Sequence, residues 1–271
     1  MTPLASAFAS VRQEKRCGFV PFIVAGDPDL ETTTELITTL SDAGATAIEV
    51  GVPFSDPIAD GPVIQRAAQR ALSRGVTLAA VLQVTARAAE TRSAPLVLFS
   101  YYNPILQLGL RKFADEARRS GIAGVLVTDL PVETAEPLRT LLHERKIDLI
   151  FLVAPTTSDA RLRQIAKLGS GFIYAIARTG VTGTHRELTD ESELLVRRIR
   201  SVTDLPVAVG FGIIKRAQAR SVCRYADAAV VGSRLVAEIE EATANAKWRR
   251  TAVVQRITEC AREFTNLRRS S

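Results

Sequence analysis

Eight short apolar runs, each closed by turn formers and separated by helical patterns, constrain this chain more than any other feature. They span residues 19–24, 47–50, 96–100, 124–128, 149–153, 172–177, 207–209 and 228–231. Each is rich in β-branched or aromatic residues and stops at a breaker such as Gly26-Asp27-Pro28, Gly51-Val52-Pro53 or Gly232-Ser233. Their apolarity is nearly continuous rather than alternating, which marks strands covered on both faces, as in parallel sheets.

Helical patterns fill the gaps. One covers 4–16, ahead of the first strand, and another covers 29–43 and stops at Gly44. Pro62 suits the first position of the next helix. A pattern over 158–168 ends at Gly169, and two more cover 234–246 and 252–267. Asp190 followed by Glu193 reads as a variant capping box, opening a helix that stops before Pro206. Eight strands alternating with helices in 271 residues predict one (β/α)8 TIM barrel with an extra N-terminal helix, a single domain over 1–271. The alternative, an open doubly wound sheet, wants a Gly-rich dinucleotide turn after an early strand, and Ala25-Gly26-Asp27-Pro28 is not one. In a barrel, the C-terminal ends of all eight strands converge on one mouth, where the site must lie.

Composition removes several functions. With 46% apolar and 24% charged residues, the chain reads as a globular protein with a sizeable core. The net charge of +6 suggests an acidic partner, but 29 of the 35 basic residues are Arg, scattered among acids. A nucleic-acid footprint would be clustered and interleaved with aromatics, so no nucleic-acid partner is expected. Cys17, Cys223 and Cys260 are far apart and form no C-x-x-C pair, so reduced cytoplasmic thiols are expected. Neither a signal segment nor an apolar run of membrane-spanning length is present, so no membrane partner is expected and a cytoplasmic location is.

At the mouth, Glu49 stands out. It interrupts the run Ala47-Ile48-Glu49-Val50-Gly51, and a period of two sets it opposite Ile48 and Val50, pointing into the barrel. A carboxylate there is either paired with an Arg or is an acid/base with a raised pKa; its place at the end of a strand favours the second. The following loop adds Asp56 and Asp60, which alone would read as an Asp-Pro turn and a helix N-cap. Gly210-Phe211-Gly212 after strand seven and Gly232-Ser233 after strand eight are placed like the usual phosphate site of such barrels. Gly180-Val181-Thr182-Gly183 after strand six can close its third side.

Exclusions narrow the chemistry further. Two histidines, His143 in a helix pattern and His185 in the loop after strand six, cannot build a metal triad, so no metal is expected. None of the six lysines falls within a strand run, which leaves no inward Schiff-base amine. Carboxylate proton transfer on a phosphorylated substrate remains. Phe22, Tyr174 and Phe211 are candidates to wall an aromatic group, or to pack the core.

The stretch Glu49-Val50-Gly51-Val52-Pro53-Phe54-Ser55-Asp56-Pro57-Ile58-Ala59-Asp60-Gly61-Pro62 closely resembles the signature of the tryptophan synthase α-subunit family. Pro21-Phe22, Tyr101-Tyr102-Asn103-Pro104, Asp129-Leu130-Pro131, Arg178-Thr179-Gly180-Val181-Thr182-Gly183 and Gly210-Phe211-Gly212-Ile213 resemble it too. The resemblance implies retro-aldol cleavage of indole-3-glycerol phosphate to indole and glyceraldehyde 3-phosphate, with no cofactor. It also implies a β-subunit partner in an αββα complex. By resemblance Glu49 is the acid/base and Asp60 holds the indole N–H. Gly183, Gly212, Ile213, Gly232 and Ser233 would bind phosphate, and Phe22, Tyr174 and Phe211 would pack the indole. Thr182 would meet Asp60 on loop closure, and Pro53, Asp56 and Asn103 would face the partner.

Three places depart from the family pattern. Ile214-Lys215-Arg216 replaces the usual Ser/Thr-Pro helix start, Ala177 stands where Ser is frequent, and Thr128 precedes Asp129. The first is expected to weaken a helix by removing its cap. Other readings are a stand-alone indole-releasing lyase, an idle barrel that activates a partner, and another phosphosugar barrel. Retention of Glu49 and Asp60 argues against the idle barrel.

Overall fold

The apolar runs become eight parallel strands that pair in chain order and close on themselves, the last against the first. The structure, a computed structural model, describes residues 1–90, 94–176, 185–210 and 212–268, with the backbone alone for 185–190. The first half runs α1 (Pro3–Gln13), β1 (Gly18–Val24), α2 (Leu30–Asp42), β2 (Ile48–Gly51), α3 (Pro62–Ser73), α4 (Leu78–Ala89), β3 (Leu96–Ser100), α5 (Tyr102–Leu108), α6 (Leu110–Arg119) and β4 (Ile122–Val127). The second runs α7 (Glu136–Glu144), β5 (Asp148–Val153), α8 (Asp159–Leu168), β6 (Ile173–Ile176), α9 (His185–Arg200), β7 (Val207–Gly210), α10 (Arg216–Val222), β8 (Ala228–Val231), α11 (Ser233–Ala242) and α12 (Arg250–Arg262). This is the TIM barrel with a preceding helix that the sequence predicts.

Local chemistry starts the helices where expected. Thr2 caps α1 by accepting from the Ala5 N–H at 3.3 Å, with Pro3 at its first position. Asp29 caps α2 by accepting from the Thr32 N–H at 2.6 Å. On α2, Leu36, Ile37 and Leu40 are fully buried against the strands. Burial of each contributes about 1.5–3 kcal/mol, which holds the outer layer in place.

Three expectations need correction. Helix α9 begins at His185, not at Asp190, so both His185 and Asp190 are helical and the Asp190–Glu193 pair marks no start. Arg186, Glu187 and Leu188 ahead of that pair are good helix formers and carry the helix through the capping signal. The beginning of α10 is not left uncapped: Gln218 Oε1 accepts from the N–H groups of Ile214 and Lys215, both at 2.9 Å. An acceptor in the first turn thus replaces the missing N-cap hydroxyl. The thiols are not all reduced: Cys17 and Cys223 form a disulfide with Cα atoms 5.5 Å apart, and only Cys260 is free, and buried. Pairing of β1 with β8 brings together cysteines 206 residues apart.

An ion-pair chain ties the mouth together. Arg70 on α3 grips the buried Asp27 after β1 with its Nε and Nη2, at 2.9 and 2.8 Å. Its third nitrogen reaches Glu240 on α11 at 2.7 Å, and Arg66 grips the same carboxylate at 2.8 and 2.7 Å. Arg66 first, and then Arg70, hold the Glu240 carboxyl down at about 2. Helix α3 follows the Asp60 loop and α11 begins at Ser233, so this chain fixes two walls of the mouth against each other. Among the described residues, no helix is long and apolar enough to cross a membrane.

Candidate active site

A cavity of about 160 Å³, within an open space of about 670 Å³, lies at the C-terminal mouth of the barrel. Glu49, Asp60, Phe22, Tyr174, Gly212, Gly232 and Ser233 line it, all of them singled out from the sequence. Parallel pairing sets Phe22 on β1 level with Glu49 on β2.

Glu49 is completely buried, and neither carboxyl oxygen has a hydrogen-bond partner. The alternative of an internal Glu–Arg pair is therefore corrected. Burial alone pushes its pKa up to about 8, because water no longer stabilises the charged form. The group is neutral at pH 7 and has a proton to give.

Asp60 is not the N-cap of α3; that position is Gly61. Its carboxylate accepts instead from the Tyr101 hydroxyl at 3.0 Å, and that hydroxyl accepts from the Ala59 N–H at 3.0 Å. Burial raises the Asp60 pKa to about 6, with the Tyr101 hydrogen bond opposing. At pH 7 the site holds one neutral and one ionised carboxyl, set apart by their surroundings. Both carboxyls act on the buried Tyr174, whose phenol burial and then their charges push well up.

Sequence reasoning missed Tyr101 as a site residue. It ends the β3 run beside the Asp60 loop, stacks on Phe54 with ring centres 4.7 Å apart, and its phenol also meets the Thr128 hydroxyl. The departure at Thr128 thus contacts the group that holds Asp60. Phe99 was also missed; it meets Phe22 edge-on at 5.1 Å and lines the cavity with Ile64 and Val230.

Two glycines make room for these rings. A Cβ at Gly210 would sit 2.1 Å from the Tyr174 hydroxyl, and one at Gly51 would sit 2.7 Å from the Phe22 ring. Both positions read as turn formers in sequence, but their role is close approach.

On the far side, Gly232 precedes α11 without a side-chain cap, so the first-turn N–H groups there lack a capping acceptor. Ser233 lines the cavity and Ile213 is buried beside Gly212. Phe211, Thr182, Gly183 and Ala177 lie outside the described residues. Of the loop positions expected to face a partner, Asp56 and Asn103 are exposed, but Pro53 is buried within the chain and offers no surface. Among the described residues, no group of acidic, His and Cys side chains is placed to hold a metal ion.

The model of the family "Tryptophan synthase alpha chain" matches residues 8–268. The tryptophan synthase alpha chain of Microcystis aeruginosa is 47% identical over 242 residues, covering 89% of this chain and 92% of that protein. That of Neisseria meningitidis serogroup B is 44% identical over 263 residues, covering 97% of this chain and 100% of that protein. Among solved structures, a chain of Mycobacterium tuberculosis tryptophan synthase superposes with a TM-score of 0.88 at 33% identity, covering 99% of this chain and 98% of that one. Subunit alpha from Legionella pneumophila gives 0.87 at 32% identity, covering 98% and 99%. The carboxyl pair and the glycine-lined mouth thus sit on a fold and a sequence that agree along almost their whole length, and the chain belongs to the tryptophan synthase alpha chain family.

Proposed function

We infer that this chain, as one barrel domain, cleaves indole-3-glycerol phosphate to indole and glyceraldehyde 3-phosphate. The observation that carries the reading is Glu49, buried, neutral and unpartnered at the wall of a cavity whose rim holds the ionised Asp60. Neutral Glu49 delivers its proton to C3 of the indole, which leaves the ring positively charged and able to accept electrons. The Glu49 carboxylate so formed takes the proton of the side-chain hydroxyl next to the breaking bond. The C–C bond then breaks, its electrons restore the indole ring, and Glu49 ends as it began. Asp60 accepts from the indole N–H and stabilises the transient positive charge, with Tyr101 orienting it.

Phe22, in contact with Phe99, and Tyr174 pack the indole. The substrate phosphate lies across Gly212, Ile213, Gly232 and Ser233, at the positive end of α11. The roles assigned by resemblance to Phe211, Thr182 and Gly183 complete this set.

The rim supports a β-subunit partner that receives the indole. Ile58 is 87% exposed and Leu106 48%, beside the exposed Asp56 and Asn103. Apolar side chains left in water around a mouth fit a docking ring.

The test is indole release by the purified chain, with and without a β subunit, beside Glu49→Gln. Slow release that the β subunit accelerates and the variant abolishes is expected. Fast release that a β subunit leaves unchanged would identify a stand-alone lyase. No release even with the β subunit would overturn the assignment.

A further inference from the structure

A second open space, of about 710 Å³, shares no lining residue with the mouth cavity and lies between α10 and the tail segment 266–268. Its polar lining is Arg216, Arg220, Ser221, Arg224, Asn266 and Arg268. Arg216, Arg220 and Arg224 recur every four residues, and the helical turn continues past α10 through hydrogen bonds from the Cys223 and Arg224 N–H groups. They therefore form one stripe, about 12 Å long at 1.5 Å per residue. Arg268 faces them from the tail.

Among the described residues these cations lack anionic partners. Arg66, Arg70, Arg145 and Arg198 each hold a carboxylate within 4 Å, as do most arginines of the described chain. Arg220, Arg224 and Arg268 hold none among the described residues, and Arg216 donates only to the Glu263 carbonyl oxygen. Four like charges around one groove repel each other unless an anion neutralises them. The tail is nevertheless held beside α10: the Cys17 N–H donates to the Leu267 carbonyl at 2.7 Å, and Cys17 is disulfide-bonded to Cys223. The two walls are thus preorganised before any ligand arrives.

The shape selects the class of anion. The space falls within the usual range for a small-molecule site. Guanidinium forks one helical turn apart match linked phosphoryl groups, each able to take two N–H bonds. Among the lining residues only Ala217 and Leu267 are apolar, and none is aromatic. A peptide would lack anchors there, and single-stranded nucleic acid would lack stacking surfaces.

We propose that the groove between α10 and the C-terminal tail binds a small oligophosphate, an anion with two or more linked phosphoryl groups. It shares no residue with the site of cleavage at the mouth.

Calorimetric titration of the full chain with tripolyphosphate tests this, in metal-free buffer with excess glycerol 3-phosphate to fill any phosphate site at the mouth. The wild type should take up one tripolyphosphate, about tenfold or more tighter than inorganic phosphate. Arg220→Glu/Arg224→Glu should weaken it about tenfold or more, each substitution removing a charge-assisted bond, while the unfolding temperature does not fall and indole release stays unchanged. Arg87→Glu/Arg111→Glu, an equal charge change on the exposed faces of α4 and α6, should leave binding intact. Equal loss in both double variants would mean diffuse charge attraction and overturn the site. No binding by the wild type, full binding by the groove variant, or preference for a hexaglutamate peptide would overturn it too.

Discussion

Glu49→Gln should make this chain more stable as pH rises, while stopping its chemistry. In the unfolded chain Glu49 loses its proton near 4.5, whereas the folded chain holds it to about 8. Between these values the folded state binds one more proton than the unfolded one, so rising pH works against folding by about 1.4 kcal/mol per unit. From pH 4.5 to pH 7 the wild type therefore loses about 3 kcal/mol at this one site. Gln at position 49 does not titrate. Its amide, like the acid it replaces, has no hydrogen-bond partner, and that cost is the same at both pH values. Urea unfolding of the two proteins at pH 5 and pH 7.5 isolates the effect, because every other titrating group cancels in the difference. The stability gap should move by about 3 kcal/mol in favour of the variant at the higher pH. A gap that does not change with pH would mean that Glu49 is ionised in the fold at neutral pH, and would remove it as the acid at C3.

Further outcomes follow from the same site. The pH profile of kcat/KM for indole release should be bell-shaped, rising near pH 6 as Asp60 ionises and falling near pH 8 as Glu49 does. Tyr101→Phe should shift the rising limb to higher pH, because the lost hydrogen bond opposes the upward shift of Asp60. Gly210→Ala should raise KM at least several-fold and lower the unfolding temperature, since the new methyl displaces the Tyr174 ring; unchanged kinetics would remove that ring from the indole pocket. Dithiothreitol should lower the unfolding temperature by cutting the Cys17–Cys223 bond, which closes a loop of 206 residues. Chain entropy puts this at about 5 kcal/mol, or about 10 °C, and Cys17→Ser should be insensitive to the reductant.

The barrel was legible because a parallel strand covered on both faces has to be apolar throughout, and a helix between two such strands has to show a three-to-four residue period. Glu49 was legible for the same reason: a carboxylate in an otherwise apolar run must be either paired or functional, and its place at the strand's end favoured function. Contacts made by closure of the barrel were not. Nothing near Cys17 points to Cys223, or near Asp60 to Tyr101, since each pair meets only when separate strands come side by side. The Gln218 cap was present as a first-turn Gln, but Lys215 ahead of it is not a capping residue and hid the pattern. Pro53 was placed at a partner face by resemblance alone, and a proline-rich stretch carries no sign of which side is covered.

The disulfide also changes how the molecule would bear a load. It turns the segment from Cys17 to Cys223, with β1 through β7 inside it, into a covalent ring, and leaves β8, α11 and α12 on a tail hung from that ring. A force applied to the two ends runs through α1, across the sulfur–sulfur bond and into the tail, bypassing everything between. Pulled in this way, the oxidised chain would pay out only its two ends and then stop. After reduction the whole barrel would unreel, so a stretching trace of the single molecule would read the oxidation state of two side chains as a length.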